Sequence, residues 1–175
     1  DDKGQGIYAD NGNTLYYLTN PNPKTLLGIN TILNYKKWTL NASGHGAFGH
    51  EVYNNTANTV LPIGNIGSRN VAKSLLGNGE ALSNPITVSS RYLEKANFFK
   101  LDNVTLSYSI GNVGKVLKNA SVYATGQNLF VITKYTGFDP EVNTDKNVNG
   151  VTSFGIEYSP YPTARTIMVG ILFSL

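Results

Sequence analysis

Cysteine is absent from this chain, which removes disulfides, thiolate metal sites and cysteine nucleophiles together and leaves the redox compartment undetermined. Charge is scarce too: Asp, Glu, Lys and Arg make up 14% of the 175 residues, against 41% hydrophobic. The net charge of +3 is small and scattered, with no basic run and no basic helix, so nucleic acid is not an expected partner. No apolar run reaches about 18 residues, so no helix spans a bilayer. A barrel strand needs no such run, because it is apolar on one face only. The opening residues, Asp1-Asp2-Lys3, are polar and do not read as a signal peptide. Catalytic constellations are missing as well. The two histidines, His45 and His50, stand five apart and are expected on opposite faces of one strand, with no metal-site spacing beside them. His45 reads as a polar wall residue. Glu94 and Asp102 are expected to flank a strand start. No nucleophile and base are paired, so an enzyme is rejected.

What fills the space left by charge is Asn, Ser, Thr, 18 Gly and 11 Tyr, a composition for turns and aromatic-lined strands in one domain. The closing stretch is the clearest. Ile167, Val169, Ile171, Phe173 and Leu175 fall on one side of an extended strand, and Thr166, Met168, Gly170 and Ser174 on the other, with Leu172 the one large aliphatic intruder there. Alternation predicts five strands, at about 24–36, 37–53, 97–110, 119–133 and 163–175. In the first two, Leu27, Ile29, Leu33 and Tyr35 oppose Asn30 and Asn34, and Trp38, Leu40 and Ala42 oppose Thr39, Asn41 and Ser43. In the third, Val104, Leu106 and Tyr108 oppose Asn103, Thr105 and Ser107; in the fourth, Val122, Ala124 and Phe130 oppose Ser121, Thr125 and Gln127, with Tyr123 blurring the pattern.

The links alternate in length. Lys36-Lys37 is a tight turn and 111–118 a short one, whereas 54–96 and 134–162 are long. Short turns at one end and long loops at the other are the asymmetry of an outer-membrane barrel, with the long loops outside the cell. This places Lys36-Lys37, 111–118 and Leu175 on the periplasmic side, and 1–23, 54–96 and 134–162 outside. Tyr35, Trp38 and Tyr108 near the short turns, and Phe98, Phe99, Phe130, Tyr158 and Tyr161 near the long loops, form two aromatic belts. A helical turn is expected at 70–76.

Four stretches also carry a family resemblance. The first is Asn22-Pro23-Lys24 leading to Tyr35-Lys36-Lys37-Trp38-Thr39-Leu40 and Gly46-Ala47-Phe48-Gly49. The second is Ser90-Arg91-Tyr92-Leu93-Glu94-Lys95-Ala96-Asn97-Phe98-Phe99-Lys100-Leu101-Asp102-Asn103-Val104-Thr105-Leu106-Ser107-Tyr108. The third is Gly126-Gln127-Asn128-Leu129-Phe130 with Tyr135-Thr136-Gly137-Phe138-Asp139-Pro140-Glu141, and the fourth Tyr161-Pro162-Thr163-Ala164-Arg165-Thr166 entering the final strand. In order and spacing they resemble the C-terminal end of the SusC/RagA group of TonB-dependent outer-membrane transporters. That resemblance implies an all-β fold: the last five strands of a transmembrane antiparallel barrel of about 22 strands, with its plug and earlier strands outside this chain. It implies a multi-pass protein of the bacterial outer membrane that imports oligosaccharides or peptides. Its partners would be the rest of the barrel and plug, the TonB complex, a SusD-like surface lipoprotein and membrane lipid. The chain ends in Leu175 where the family usually ends in an aromatic residue.

The site residues expected on this reading are a lumen wall of Asn103, Thr105, Ser107, Thr125 and Gln127, and loop aromatics Tyr92, Tyr135, Phe138 and Tyr158 for stacking on substrate. The alternative places those rings in the interfacial belt or the loop core. No cofactor is expected, with one exception. Asp145, Asn147 and Asn149, followed by Gly150, fit the start of a calcium loop, although position twelve is Ile156 and Glu157 comes one place late. The competing architecture is a soluble secreted β-sandwich that binds carbohydrate.

Overall fold

The structure, a computed structural model, describes residues 19–84, 88–142, 146–148 and 151–174. The chain divides into two compact units. A wall unit comprises Pro23–Gly49, Ala96–Lys134 and Pro162–Leu175; a loop unit comprises Asp1–Asn22, His50–Lys95 and Tyr135–Tyr161.

The wall unit is one antiparallel sheet. In chain order its strands are β1 (Thr25–Tyr35), β2 (Trp38–Phe48), β5 (Phe98–Val113), β6 (Leu117–Thr133) and β10 (Thr166–Ser174), and they are neighbours in that same order. β1 and β2 meet across Lys36-Lys37, with Lys36 left-handed at φ +54° and Tyr35 opposite Trp38. β5 and β6 meet across Gly114-Lys115-Val116, with Val113 opposite Leu117. Each strand is nine residues or longer, enough to cross a hydrocarbon layer that takes about 9–11 tilted residues. The outer edges of β1 and β10 have no partner strand among the described residues, so the sheet is open at both sides.

Register turns the five alternating patterns into two continuous faces. On one face Leu33, Leu40, Leu106, Ala124 and Val169 form a row across all five strands, flanked by Thr31-Ala42-Val104-Gly126-Ile167 and by Tyr35-Trp38-Tyr108-Val122-Ile171. These side chains stay uncovered: Leu33 is 58% and Val169 80% exposed. The aromatic row closes the short-turn end, with the Trp38 and Tyr108 rings 4.7 Å apart and the Lys36 and Lys37 ammonium groups over Tyr35 and Tyr108.

One irregularity keeps the faces in phase. Ser43 pairs with Asn103 but Gly44 with Leu101, so Asp102 is an extra residue in β5. The bulge moves Leu101 and Phe99 onto the side of Val104 and Leu106, although their numbers have opposite parity. On β6 the same site spans Gln127 to Phe130, with Asn128 left-handed at φ +52°. The blur at Tyr123 also resolves. Its ring fills the place a Gly170 side chain would take, at 2.5 Å from the Cβ position, and so covers a gap in β10.

The loop unit is built on β3 (Glu51–Asn54), which pairs antiparallel with β4 (Leu93–Lys95) and parallel with β9 (Ile156–Glu157). A short hairpin, β7 (Lys146–Val148) and β8 (Val151–Ser153), stands apart. The core includes Val52, Ala57, Ile63, Leu75, Tyr92 and Tyr135. Two expectations change here. The second strand does not run on to residue 53: Gly49 takes φ +82°, a left-handed turn that glycine adopts without penalty, and β3 beyond it belongs to the other unit. His45 and His50 are therefore not on one strand. The helical turn at 70–76 reduces to a 3-10 turn, Lys73–Leu75, whereas the one α-helix among the described residues is α1 (Asn55–Val60). Its sequence, Asn-Thr-Ala-Asn-Thr-Val, has weak helix propensity. A local cap and burial make up for it: the Asn54 side chain accepts from the Ala57 amide at 2.9 Å, and Ala57 is buried.

Candidate functional site

The polar face of the wall unit gathers the five expected wall residues. Asn103 lies opposite Gln127, Thr105 opposite Thr125, and Ser107 opposite Tyr123. The Thr105 and Thr125 hydroxyls share a 2.8 Å hydrogen bond, and the Thr105 hydroxyl also reaches Asn103 Oδ1 at 3.2 Å. Register extends this face across β2 and β1, which the list of five did not include. Ser43 and Asn30 continue the Asn103 row, Asn41 the Thr105 row, and Thr39 and Asn34 the Ser107 row. Those residues were readable as the polar sides of their own strands; only register shows that they continue the same surface. These rows carry no charge and are mostly amide and hydroxyl, broken by Ile32 opposite Asn41, Met168 opposite Thr125 and the Tyr123 ring. Charge enters higher up, where His45 sits opposite Lys100. His45 Nδ1 lies 2.6 Å from Asp102 Oδ2, with the imidazole edge-on to Phe98. Asp102 therefore sits at the bulge inside β5, and Glu94 lies in the loop unit, so the two do not flank one strand start.

The four loop aromatics separate. Tyr92 and Tyr135 are 7% and 6% exposed and pack the loop core, which leaves their faces unavailable for stacking. Phe138 and Tyr158 are 59% and 44% exposed. Burial is the main cause that raises the Tyr92 and Tyr135 pKa values above the ordinary phenol; for Tyr135 the charges of Glu157, Glu94 and Asp139 add to it. The Arg91 guanidinium lies over the Tyr92 ring and 2.7 Å from Glu80. Burial pushes Glu80 upward, but hydrogen bonds from Arg91, Asn84 and Asn78 and the Arg91 charge outweigh it and hold its pKa low.

Two carboxylates that sequence reasoning did not assign organise this unit. Glu94 accepts from the Thr136 amide (2.9 Å), the Thr136 hydroxyl (2.8 Å) and the Asn54 amide (3.0 Å). Glu157, fully buried, accepts from the Thr56 hydroxyl at 2.9 Å, and Thr56 Oγ1 accepts in turn from the Ser159 amide. No sequence signal marks them, because their partners are 40 to 101 positions away. Between α1 and residues 136–138 these bonds leave a cleft of about 200 Å³ with Ala57, Val60, Leu61 and Phe138 among its walls. The expected calcium ligands Asp145 and Asn149 lie outside the described residues. Of Asn147 only its backbone place in β7 is described. Among the described residues no cluster of three metal-ligating side chains occurs.

No family model matches the chain. Individual relatives do. The TonB-dependent receptor SusC of Bacteroides thetaiotaomicron is 31% identical over 98% of this chain, and the TonB-dependent receptor P3 of Formosa agariphila 30% identical over 86%. The RagAB peptide importer in its closed-closed state superposes with a TM-score of 0.74 at 25% identity over 95% of this chain. Its open-open state gives 0.73 over 97%. The chain spans less than a fifth of each: 17% of SusC, 16% of P3 and 19% of the RagAB chain. These relatives are, by name, receptors and an importer. Its two-faced open sheet is a piece of antiparallel barrel wall, and with nearly its whole length matched in sequence and in fold the chain belongs to the SusC/RagA family of TonB-dependent receptors.

Proposed function

We propose that this chain is a stretch of wall in an outer-membrane nutrient importer, a multi-pass barrel of the bacterial cell that takes up oligosaccharides or peptides. In this reading the uncovered apolar rows touch acyl chains, and Asn103, Thr105, Ser107, Thr125 and Gln127 face the lumen and its plug. TonB energises transport through parts of the protein outside this chain. A SusD-like lipoprotein closes over the end from which the long connections leave. Phe138 and Tyr158, the exposed rings, meet substrate. Asp145, Asn147 and Asn149 hold a structural calcium ion; a loop protease pattern unchanged by calcium titration counts against that assignment.

The observation that supports the wall reading is the row Leu33-Leu40-Leu106-Ala124-Val169, apolar across five strands and open to its surroundings. A soluble sheet buries such a face, and large exposed apolar patches are rare on soluble monomers. The opposite face, polar along the same strands, suits a water-filled interior. This stretch holds no cysteine of its own, so single cysteines placed in it report directly on the whole transporter in its membrane once any cysteines elsewhere are replaced. A cysteine at Val169 is expected to resist a water-soluble maleimide, and one at Thr105 to react. Equal labelling of both positions overturns the reading.

A further inference from the structure

The cleft beside α1 differs in chemistry from the polar face of the wall. Ala57, Val60, Leu61 and Phe138 make it apolar. The polar groups at its base, on Asn54, Thr56 and Thr136, are already committed. Asn54 and Thr136 donate to Glu94, Thr56 donates to Glu157, and Asn54 also caps α1. A sugar ring entering here would find few free partners for its hydroxyls and would lose those it had in water. An aliphatic or aromatic group loses nothing.

Size narrows the occupant further. An apolar cavity of about 150 Å³ holds one benzene, and pockets for whole small ligands begin near about 300 Å³. At about 200 Å³ the cleft suits a single side chain of a longer ligand. It is also tied in place beforehand, since Glu94 and Glu157 fasten both α1 and Thr136, so little ordering cost falls on the incoming group.

Charge supplies the second requirement. Glu94 and Glu157 stand directly behind the base, and Asp139 follows Phe138 in the chain. Their combined field reaches the neighbouring Tyr135 hydroxyl, whose pKa all three raise in addition to burial. Among the described residues neither Glu94 nor Glu157 is in an ion pair. The negative field of Glu94 and Glu157 next to an apolar slot favours a cation beside the seated group and repels an anion there.

We propose that this cleft seats one apolar side chain of a peptide that carries a positive charge next to it. The inference rests on the importer reading and narrows its substrate class to peptide, with a glycan excluded from this slot. Val60 is the residue to change, being 40% exposed at the end of α1, with an apolar side chain that makes no hydrogen bond; its carbonyl, which accepts from Asn65, is kept in any variant. The probes are blocked tetrapeptides, N-acetylated and C-amidated: Ala-Lys-Phe-Ala, Ala-Lys-Ala-Ala and Ala-Glu-Phe-Ala. Binding to the full-length transporter in detergent is measured by calorimetry, for the wild type, for Val60→Trp, which fills the slot, and for Val60→Ser, which leaves it open.

The wild type is expected to bind the Lys-Phe peptide at least about tenfold more tightly than either of the other two, the scale of a hydrophobic pocket's discrimination. Val60→Trp is expected to erase the Phe-over-Ala preference, and Val60→Ser to keep most of it. A preference that survives Val60→Trp overturns the proposal, as does tighter binding of the Glu-Phe peptide. Loss of a co-purifying surface lipoprotein from Val60→Trp with peptide preference intact also overturns it, and makes the cleft a seat for the lid. The importer reading is judged separately, on the wild type alone, by membrane insertion and uptake; an importer whose peptide binding ignores Val60 keeps that reading and loses this one.

Discussion

Asp102 is the extra residue of β5, and His45 on the neighbouring strand holds its carboxylate at 2.6 Å. The pair secures the bulge that lets Phe99 and Leu101 share a face with Val104 and Leu106. Both side chains are about one-third exposed, so the contact itself is worth little. Asp102→Ala is expected to lower the stability of the purified transporter by about 1 kcal/mol in urea unfolding. Deleting Asp102 is expected to do far more, because every residue of β5 on the Phe98 side of the bulge then changes face. Loss of the heat-modifiable folded band on a gel is the readout, and a deletion no worse than the alanine variant refutes the role given to the bulge.

The two faces of the wall should answer oppositely to charge. Val169→Arg places a guanidinium in the apolar row, and about 2–4 kcal/mol of folding stability should be lost in lipid. Asn41→Arg on the polar face, in the Thr105 row, should cost under about 1 kcal/mol. Folding yields into vesicles across a urea series measure both.

Glu94 fastens two distant stretches of the loop unit, the start of α1 and residue 136. Glu94→Ala removes the acceptor for three donors at once, and local stability should fall by about 2–3 kcal/mol. Hydrogen exchange at the Thr136 amide should quicken accordingly, with Glu94→Gln intermediate. Unchanged exchange in the alanine variant removes Glu94 from this role.

Acid should loosen the loop unit through His50. Burial holds its pKa below the ordinary 6.5, against the opposing effect of its hydrogen bond to the Pro140 backbone. The folded value lies below the unfolded one, so the neutral ring's contribution is fully present above 6.5 and is lost as pH falls through the lower folded value. Proteolysis within 50–95 and 135–161 should therefore speed up as pH drops from about 7.5 to about 5. His50→Gln, which keeps a donor and cannot titrate there, should flatten the response; an identical acid response in that variant points to another group.

Strand alternation is a local property, and it was readable wherever one side of a strand is apolar and the other polar. The final strand, the Lys36-Lys37 turn, the low charge and the unequal links all follow from near neighbours in the chain, and by themselves they determined an all-β chain and favoured a barrel-type wall over the rival sandwich. Even the phase change between Leu101 and Val104 is written in residue order. What it does not contain is the partner of each strand. That Asp102 is held by His45, that Asn41 extends the Thr105 row, and that Tyr123 covers Gly170 depend on register between segments dozens of positions apart. The loop unit shows the limit most plainly. Tyr92 and Tyr135 look like ligand-stacking rings in a polar stretch, and only the packing of the loop unit buries them. Glu94 and Glu157 look like surface acids until Thr136 and Thr56 are brought to them. Periodicity encodes which side of a strand meets a nonpolar surrounding; which distant groups meet each other is decided only when the chain closes on itself, because those contacts have no period.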